Sequence, residues 1–417
     1  MAKFVINGGK KLSGVVKVSG AKNAALAIMA AAVMADGETI LENVPCIADV
    51  QVMLEIIESL GAAGKWLEPN TLFIKSGAGL QAVAPYPLAK KLRASNLLLG
   101  ALLGKLGRAE VSLPGGCQIG SRPMDLHLKG LHALGADISL EHGYIKARGK
   151  LRGNKVYLDF PSVGATENIM MAASLAEGQT IIENAAKEPE IVDLASFLNG
   201  MGAKVRGAGT DLIRIQGVKE LRPVRYSIIP DRIEAGTFMI GAAMSAGKVR
   251  LENVISTHLQ PLIAKLKEVG AKIEQAEDVL IVEGPARALA TDLKTLPYPG
   301  FPTDLQSPML ALLTRARGTS VVVETIYENR LRVAEELKRM GANVKVEGQT
   351  AVVVGVEKLY GAQTKAYDLR AGAALVLAGV VAEGQSEVWG VDHIERGYED
   401  FPGKLNSLGA EITVIDH

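Results

Sequence analysis

Cysteine is nearly absent. The chain holds two, Cys46 and Cys117, far apart and in no CxxC spacing, which argues against both a disulfide framework and a structural zinc site. Charge of one sign is lacking as well: 46 Lys and Arg stand against 45 Asp and Glu, a formal net charge of +1, so no global field draws the chain to nucleic acid or membrane. The longest apolar run, Ala24 to Ala35, is too short to span a bilayer, and Met1 to Lys11 carries no hydrophobic signal segment; the cytoplasm is the expected compartment. A P-loop lysine motif, a GxSxG elbow and an HExxH pair are missing too. Only His127 and His132 are close neighbours among the six histidines, with no cysteine pair beside them, and Gly207-Ala208-Gly209 lacks the strand–helix setting of a dinucleotide fingerprint. Neither a metal nor a nicotinamide cofactor is expected.

What the chain has instead is repetition. A residue pair followed by Gly-Ala closes a helix-like stretch at Ser59-Leu60-Gly61-Ala62, Ala133-Leu134-Gly135-Ala136, Gly200-Met201-Gly202-Ala203, Glu268-Val269-Gly270-Ala271, Arg339-Met340-Gly341-Ala342 and Ser407-Leu408-Gly409-Ala410. The glycines recur about every 70 residues, too long for a common solenoid repeat. Each unit reads as strand, helix, strand, helix, strand, strand, with the glycine as C-cap of the second helix. The first helix of each unit, such as Ala24 to Met34 or Ala374 to Val381, is apolar on all sides and is expected to be buried.

A chain of 417 residues exceeds one core. Three units per domain gives an α/β protein of two similar domains, residues 21–229 and residues 230–417 with 1–20, divided near Ile228 to Arg232. The run Lys3 to Lys17 is placed to supply a strand to the last unit.

Polar residues gather where the buried helices begin: Lys22-Asn23, Arg93 with Ser95, Ser162 to Thr166, Arg232 to Glu234, Asp304 with Gln306, and Arg370. Helix N-termini favour anions, so Lys or Arg there opposes the helix and suits a ligand; Ser162 and Asp304 also make good N-caps. A second set, Arg122, Glu188, His258, Arg330 and Arg396, falls in the turns before the second helices. Two domains facing each other would gather Lys22, Arg93, Arg122, Arg330, Arg370 and Arg396 around phosphate and carboxylate groups. The longest such turn, Leu113 to Pro123, has three glycines and reads as a lid with Cys117 at its tip, exposed near Arg122 and therefore reactive. Cys46, in Asn43-Val44-Pro45-Cys46, reads as a small buried hydrophobe.

Val18-Ser19-Gly20-Ala21-Lys22-Asn23-Ala24, Arg93-Ala94-Ser95, Pro114-Gly115-Gly116-Cys117, Gly120-Ser121-Arg122-Pro123, Asp231 to Thr237, Glu328-Asn329-Arg330 and Asp368 to Gly372 closely resemble the UDP-N-acetylglucosamine 1-carboxyvinyltransferases, the enolpyruvyl transferases of peptidoglycan synthesis. The likeness spans essentially the whole chain. It implies an inside-out α/β barrel in two domains, each three βαβαββ repeats, closing on phosphoenolpyruvate and UDP-N-acetylglucosamine without a cofactor. It also implies roles: Cys117 as general acid and site of a covalent phospholactoyl adduct, and Asp304 at the sugar hydroxyl's proton. Lys22, Arg122 and Arg396 would hold the phosphoenolpyruvate phosphate, with Arg330 and Arg370 near its carboxylate. Asn23, Arg93, Arg122, Pro123, Met124, Asp125, Leu126, Ser162, Val163, Gly164, Asp304 and Ile326 match the UDP-sugar site, while His127 either contacts the diphosphate or packs. Phe160 stands where some members carry lysine, and it offers no charge to the diphosphate there. Two other readings stand beside this one: the shikimate 3-phosphate transferases, which have a Ser-Lys phrase at Ala21-Lys22 and lack the Cys lid, and a catalytically silent UDP-sugar-binding paralogue. An epoxide phosphonate mimic of phosphoenolpyruvate is expected to alkylate Cys117, read by mass spectrometry; an adduct on Cys46 instead would remove Cys117 from its role.

Overall fold

The computed structural model describes residues 2–113, 119–120 and 123–415. They form a mixed α/β fold in two compact units, one of residues 20–113 and 123–229, the other of residues 2–19, 119–120 and 230–415. We call them the Lys22 unit and the Asp304 unit. Each has its own apolar core. No helix among the described residues is long and apolar enough to cross a membrane.

Each core is built on three helices with almost no solvent face. In the Lys22 unit these are α1 (Lys22–Ala32), α2 (Leu98–Leu106) and α3 (Val163–Ser174). In the Asp304 unit they are α4 (Arg232–Met244), α5 (Gln306–Leu313) and α6 (Leu369–Val381). Burial is unbroken over Ala24–Ala32, Ala165–Ser174, Ile233–Met244 and Arg370–Val381. Small residues make this possible, because wide side chains on every face would hold the helices apart. A Cβ on Gly100 would sit 2.3 Å from the Asn168 carbonyl oxygen, and one on Gly104 would lie 3.2 Å from the Ala172 Cα, so α2 and α3 meet nearly backbone to backbone.

Around these helices the described residues form six sheets. A typical one has an antiparallel hairpin, a third strand antiparallel to it, and a short parallel strand at the edge. Gln179–Glu183 pairs antiparallel with Leu212–Gln216 and parallel with Lys155–Tyr157. Strands distant in sequence close each unit. Arg225–Ser227 adds parallel to Gly37–Glu42; Ser13–Lys17 adds parallel to Lys248–Glu252, and Lys3–Asn7 lies between Gln385–Trp389 and Ile412–Ile415.

The Gly-Ala phrase has a single structural meaning at all six places. Each glycine has φ between +91° and +100° (Gly61 93°, Gly135 94°, Gly202 100°, Gly270 97°, Gly341 91°, Gly409 97°). Its N–H donates to the carbonyl three residues back, as from Gly61 to Glu58, and the next alanine's N–H donates five back, as from Ala62 to Ile57. That pair of bonds is the Schellman helix stop, which needs a left-handed residue. The residue before each glycine and the alanine after it are buried, which accounts for the rest of the phrase.

Cys46 departs from its expected burial: it is exposed, while its neighbours Val44 and Ile47 take the inward positions at the start of helix Ala48–Ser59. Replacing Gly100 by Ala is expected to lower unfolding free energy by about 1–3 kcal/mol through overpacking, measured by urea denaturation; an unchanged midpoint would contradict the close contact of α2 with α3.

Candidate functional site

In the Asp304 unit, three elements converge on one carboxylate. Asp304 lies in the short 3-10 turn Thr303–Leu305 that leads into α5. It does not cap the helix: Oδ1 accepts from Arg330 Nη2 at 3.0 Å and Oδ2 from Arg370 Nη2 at 3.1 Å. Arg330 opens the turn Arg330–Arg332, and Arg370 is in the first turn of α6, where Asp368 caps the N–H groups of Arg370 and Ala371. Both guanidiniums are buried, at 2% and 4% exposure, whereas the Asp304 side chain remains 25% exposed. Burial works against the Arg370 charge, but Asp304, Tyr398 and Asp231 outweigh it and hold the group above its ordinary value. Arg330 Nε, Arg370 Nη1 and Gln306 Nε2 are buried donors with no acceptor among the described residues. Unanswered donors are costly, and two of them belong to cations, so the cluster suits an anionic ligand.

Glu324 supports this cluster and was not singled out from the sequence. Buried at 1% exposure, it accepts from Thr295 Oγ1, Thr303 Oγ1 and the N–H groups of Ile326 and Tyr327. It thereby fixes half-buried Ile326 and the residue before Asp304 together. The available signal was an acid placed directly after the β-branched strand Thr319–Val323. Arg396, half-buried, follows the single turn Asp392–Glu395. His258 lies in the 3-10 turn Ser256–Leu259.

In the Lys22 unit, Lys22 begins α1 and its Nζ pairs with Asp49 at 3.2 Å; Asn23 beside it is exposed. Arg93 opens the 3-10 turn Arg93–Leu97 before α2. Ser162 is the N-cap of α3, its Oγ accepting from the Ala165 N–H, with Val163 and Gly164 in the first turn. Pro123 and Asp125 are exposed, Met124 is buried and Leu126 half-buried at the start of helix Asp125–Ala133. Phe160 is 45% exposed. Glu188 precedes helix Pro189–Gly200; burial, then the charges of Glu190 and Glu188, holds the Glu167 carboxyl well above the usual range. Cys117 and Arg122 lie outside the described residues, as does most of the expected lid.

His127 is buried, with Nδ1 2.8 Å from Asn168 Nδ2. Burial, reinforced by the Arg93 charge, pushes its pKa down to about 4.

The chain has close relatives along its whole length. It is 57% identical over 411 residues to UDP-N-acetylglucosamine 1-carboxyvinyltransferase 1 of Caldanaerobacter subterraneus subsp. tengcongensis, covering 98% of this chain and 99% of that protein. It is 58% identical over 418 residues to UDP-N-acetylglucosamine 1-carboxyvinyltransferase 2 of Carboxydothermus hydrogenoformans, covering all of both. The chain belongs to the UDP-N-acetylglucosamine 1-carboxyvinyltransferase family. This family shares a broader pattern, since the sequence profile of EPSP synthase (3-phosphoshikimate 1-carboxyvinyltransferase) matches residues 6–405. Among solved structures, the enolpyruvyl transferase NikO from Streptomyces tendae superposes with a TM-score of 0.90 at 25% identity, over 99% of this chain and 98% of that one. EPSP synthase from Acinetobacter baumannii shares the fold, with a TM-score of 0.77 at 21% identity over the full length of both.

The depressed His127 pKa has a definite consequence for stability. Below pH 6.5 the unfolded chain takes up a proton that the folded chain refuses until about pH 4, so unfolding free energy falls as pH drops through that window. His127→Gln is expected to lessen this fall by up to about 3 kcal/mol, measured by denaturation at pH 7, 5.5 and 4.5. An identical pH dependence in both proteins would contradict a buried neutral imidazole.

Proposed function

We propose that this chain transfers the enolpyruvyl group of phosphoenolpyruvate to the 3′-hydroxyl of UDP-N-acetylglucosamine, releasing phosphate, in the cytoplasm as a step of peptidoglycan synthesis. The observation that carries the reading is full-length identity above half to relatives named for that reaction. The buried arginines with unanswered donors beside Asp304 support it, because phosphoenolpyruvate brings a carboxylate and a phosphate. Architecturally, we read the chain as six copies of a βαβαββ unit, three in each inside-out α/β barrel; six identical helix stops and six sheets support that reading.

Chemically, the Cys117 thiol gives its proton to C3 of phosphoenolpyruvate while the sugar oxygen bonds to C2 and Asp304 takes the hydroxyl proton. The product of this step is a tetrahedral ketal. The Cys117 thiolate then takes a proton back from the C3 methyl as phosphate leaves C2, restoring the vinyl ether and the thiol, and the sugar proton on Asp304 departs with the phosphate. Lys22, Arg122 and Arg396 hold the phosphate; Arg330 and Arg370 lie near the carboxylate. Asn23, Arg93, Arg122 to Leu126, Ser162 to Gly164, Asp304 and Ile326 hold the UDP-sugar.

Phosphate release from phosphoenolpyruvate is expected to require UDP-N-acetylglucosamine and to vanish in Cys117→Ala. No release with either that sugar or shikimate 3-phosphate, alongside tight UDP-sugar binding, would favour the silent binding paralogue. Asp304→Ala is expected to lower kcat by about 100-fold or more, the scale of proton-transfer catalysis, with a much smaller change in UDP-sugar KM; retained kcat would remove Asp304 from the mechanism.

A further inference from the structure

Asn168 sits inside α3, and every polar atom of its amide is engaged. Oδ1 accepts from the Gly100 N–H at 2.6 Å, while Nδ2 donates to the Asn96 carbonyl at 3.1 Å and lies 2.8 Å from His127 Nδ1. A backbone N–H can only donate and a backbone carbonyl can only accept, so the amide cannot be turned around. Its second N–H therefore points at His127 Nδ1, which must be the acceptor. The ring proton is then on Nε2, and a second proton on Nδ1 would face the amide N–H.

The same amide joins three segments. Asn96 belongs to the short helix that begins with Arg93, and its own Nδ2 reaches Met124 Sδ at 3.2 Å. The Cε1–Nε2 edge of His127 lies against the first turn of α3: a Cβ on Gly164 would be 2.9 Å from Cε1 and 3.3 Å from Nε2. Arg93, Met124 and Gly164 are all among the residues assigned above to the UDP-sugar.

We propose that Asn168 is a positioning residue for the UDP-sugar: it holds His127 as a neutral imidazole carrying its proton on Nε2, toward the first turn of α3, and tethers the Arg93 turn with the same side chain. The ligand named here rests on the functional reading of the preceding subsection; the state of the imidazole does not. A neutral donor gives an oxygen-rich ligand a hydrogen bond of fixed direction, whereas an imidazolium would have to be buried beside the Arg93 charge. The low His127 pKa agrees.

The test uses the full chain labelled with 15N-histidine, with the His127 resonances assigned by comparison with His127→Gln. In the parent, His127 is expected to show the Nε2–H tautomer unchanged from pH 8 to pH 5. An Nδ1–H tautomer, or titration near pH 6.5, overturns the proposal without any Asn168 variant having to fold. In Asn168→Asp the carboxylate accepts from Nδ1, so that nitrogen becomes protonated; in Asn168→Ser the side chain is too short to reach Gly100 and His127 together, and both tautomers appear. Either variant is expected to raise the KM for UDP-N-acetylglucosamine about tenfold, the scale of one hydrogen bond to a charged group, with less than a twofold change for phosphoenolpyruvate. An unchanged UDP-sugar KM in a folded variant with an altered tautomer overturns the positioning role. A parent that shows the Nε2–H tautomer but neither binds nor turns over the UDP-sugar overturns the functional reading, and with it the ligand assigned to Asn168.

Discussion

A helix with no solvent face can carry polar chemistry only at its ends, or where a neighbouring element answers each polar atom. That constraint governs how charge is distributed here. α1 begins with Lys22, α3 is capped by Ser162, α5 is preceded by Asp304, and α6 carries Arg370 in its first turn. Beyond those turns the helices are mostly apolar residues and glycine packed at short range, and an interior exception such as Asn168 of α3 has each polar atom answered by a neighbouring element. The cores thus hold the site residues rigidly, because the segments bearing them are continuous with the least yielding parts of each unit.

Cations at helix starts are unfavourable for the helix dipole, and the structure offsets them by pairing. Lys22 is set against Asp49, while Arg330 and Arg370 share Asp304. Such pairs are weak evidence of stabilisation, since the cost of desolvating buried charges approaches their attraction. Their value is directional. Asp304 is gripped from two sides, Glu324 ties the Thr303 hydroxyl to the backbone of Ile326 and Tyr327, and two guanidinium nitrogens are left to meet an anion.

Much of this was legible in the sequence. The Gly-Ala phrase announced the helix stops because a Schellman turn admits few alternatives to glycine, and the all-apolar helices announced their burial. Arg330 and Arg370 were expected together around an anion and Asp304 separately at the sugar hydroxyl, but the pairing of both arginines with Asp304 depends on tertiary placement that no spacing reveals. Asp304 read equally well as a cap; its carboxylate turns to the arginines instead. Cys46 was misjudged because a small thiol after Pro45 carries no periodicity to say which way it points. Glu324 and Asn168 went unnoticed for a related reason: a polar residue inside an apolar stretch reads as an exception until its partners, far off in the chain, are known.

The reaction assigned to this chain is tested most directly by letting the two acceptors compete. Phosphoenolpyruvate is supplied with equimolar UDP-N-acetylglucosamine and shikimate 3-phosphate, and the products are resolved by mass spectrometry. The account predicts that one enolpyruvyl unit is gained by the UDP-sugar alone, in amount equal to the phosphate released. Enolpyruvyl shikimate 3-phosphate as the main product, or no product while the UDP-sugar binds, would contradict it.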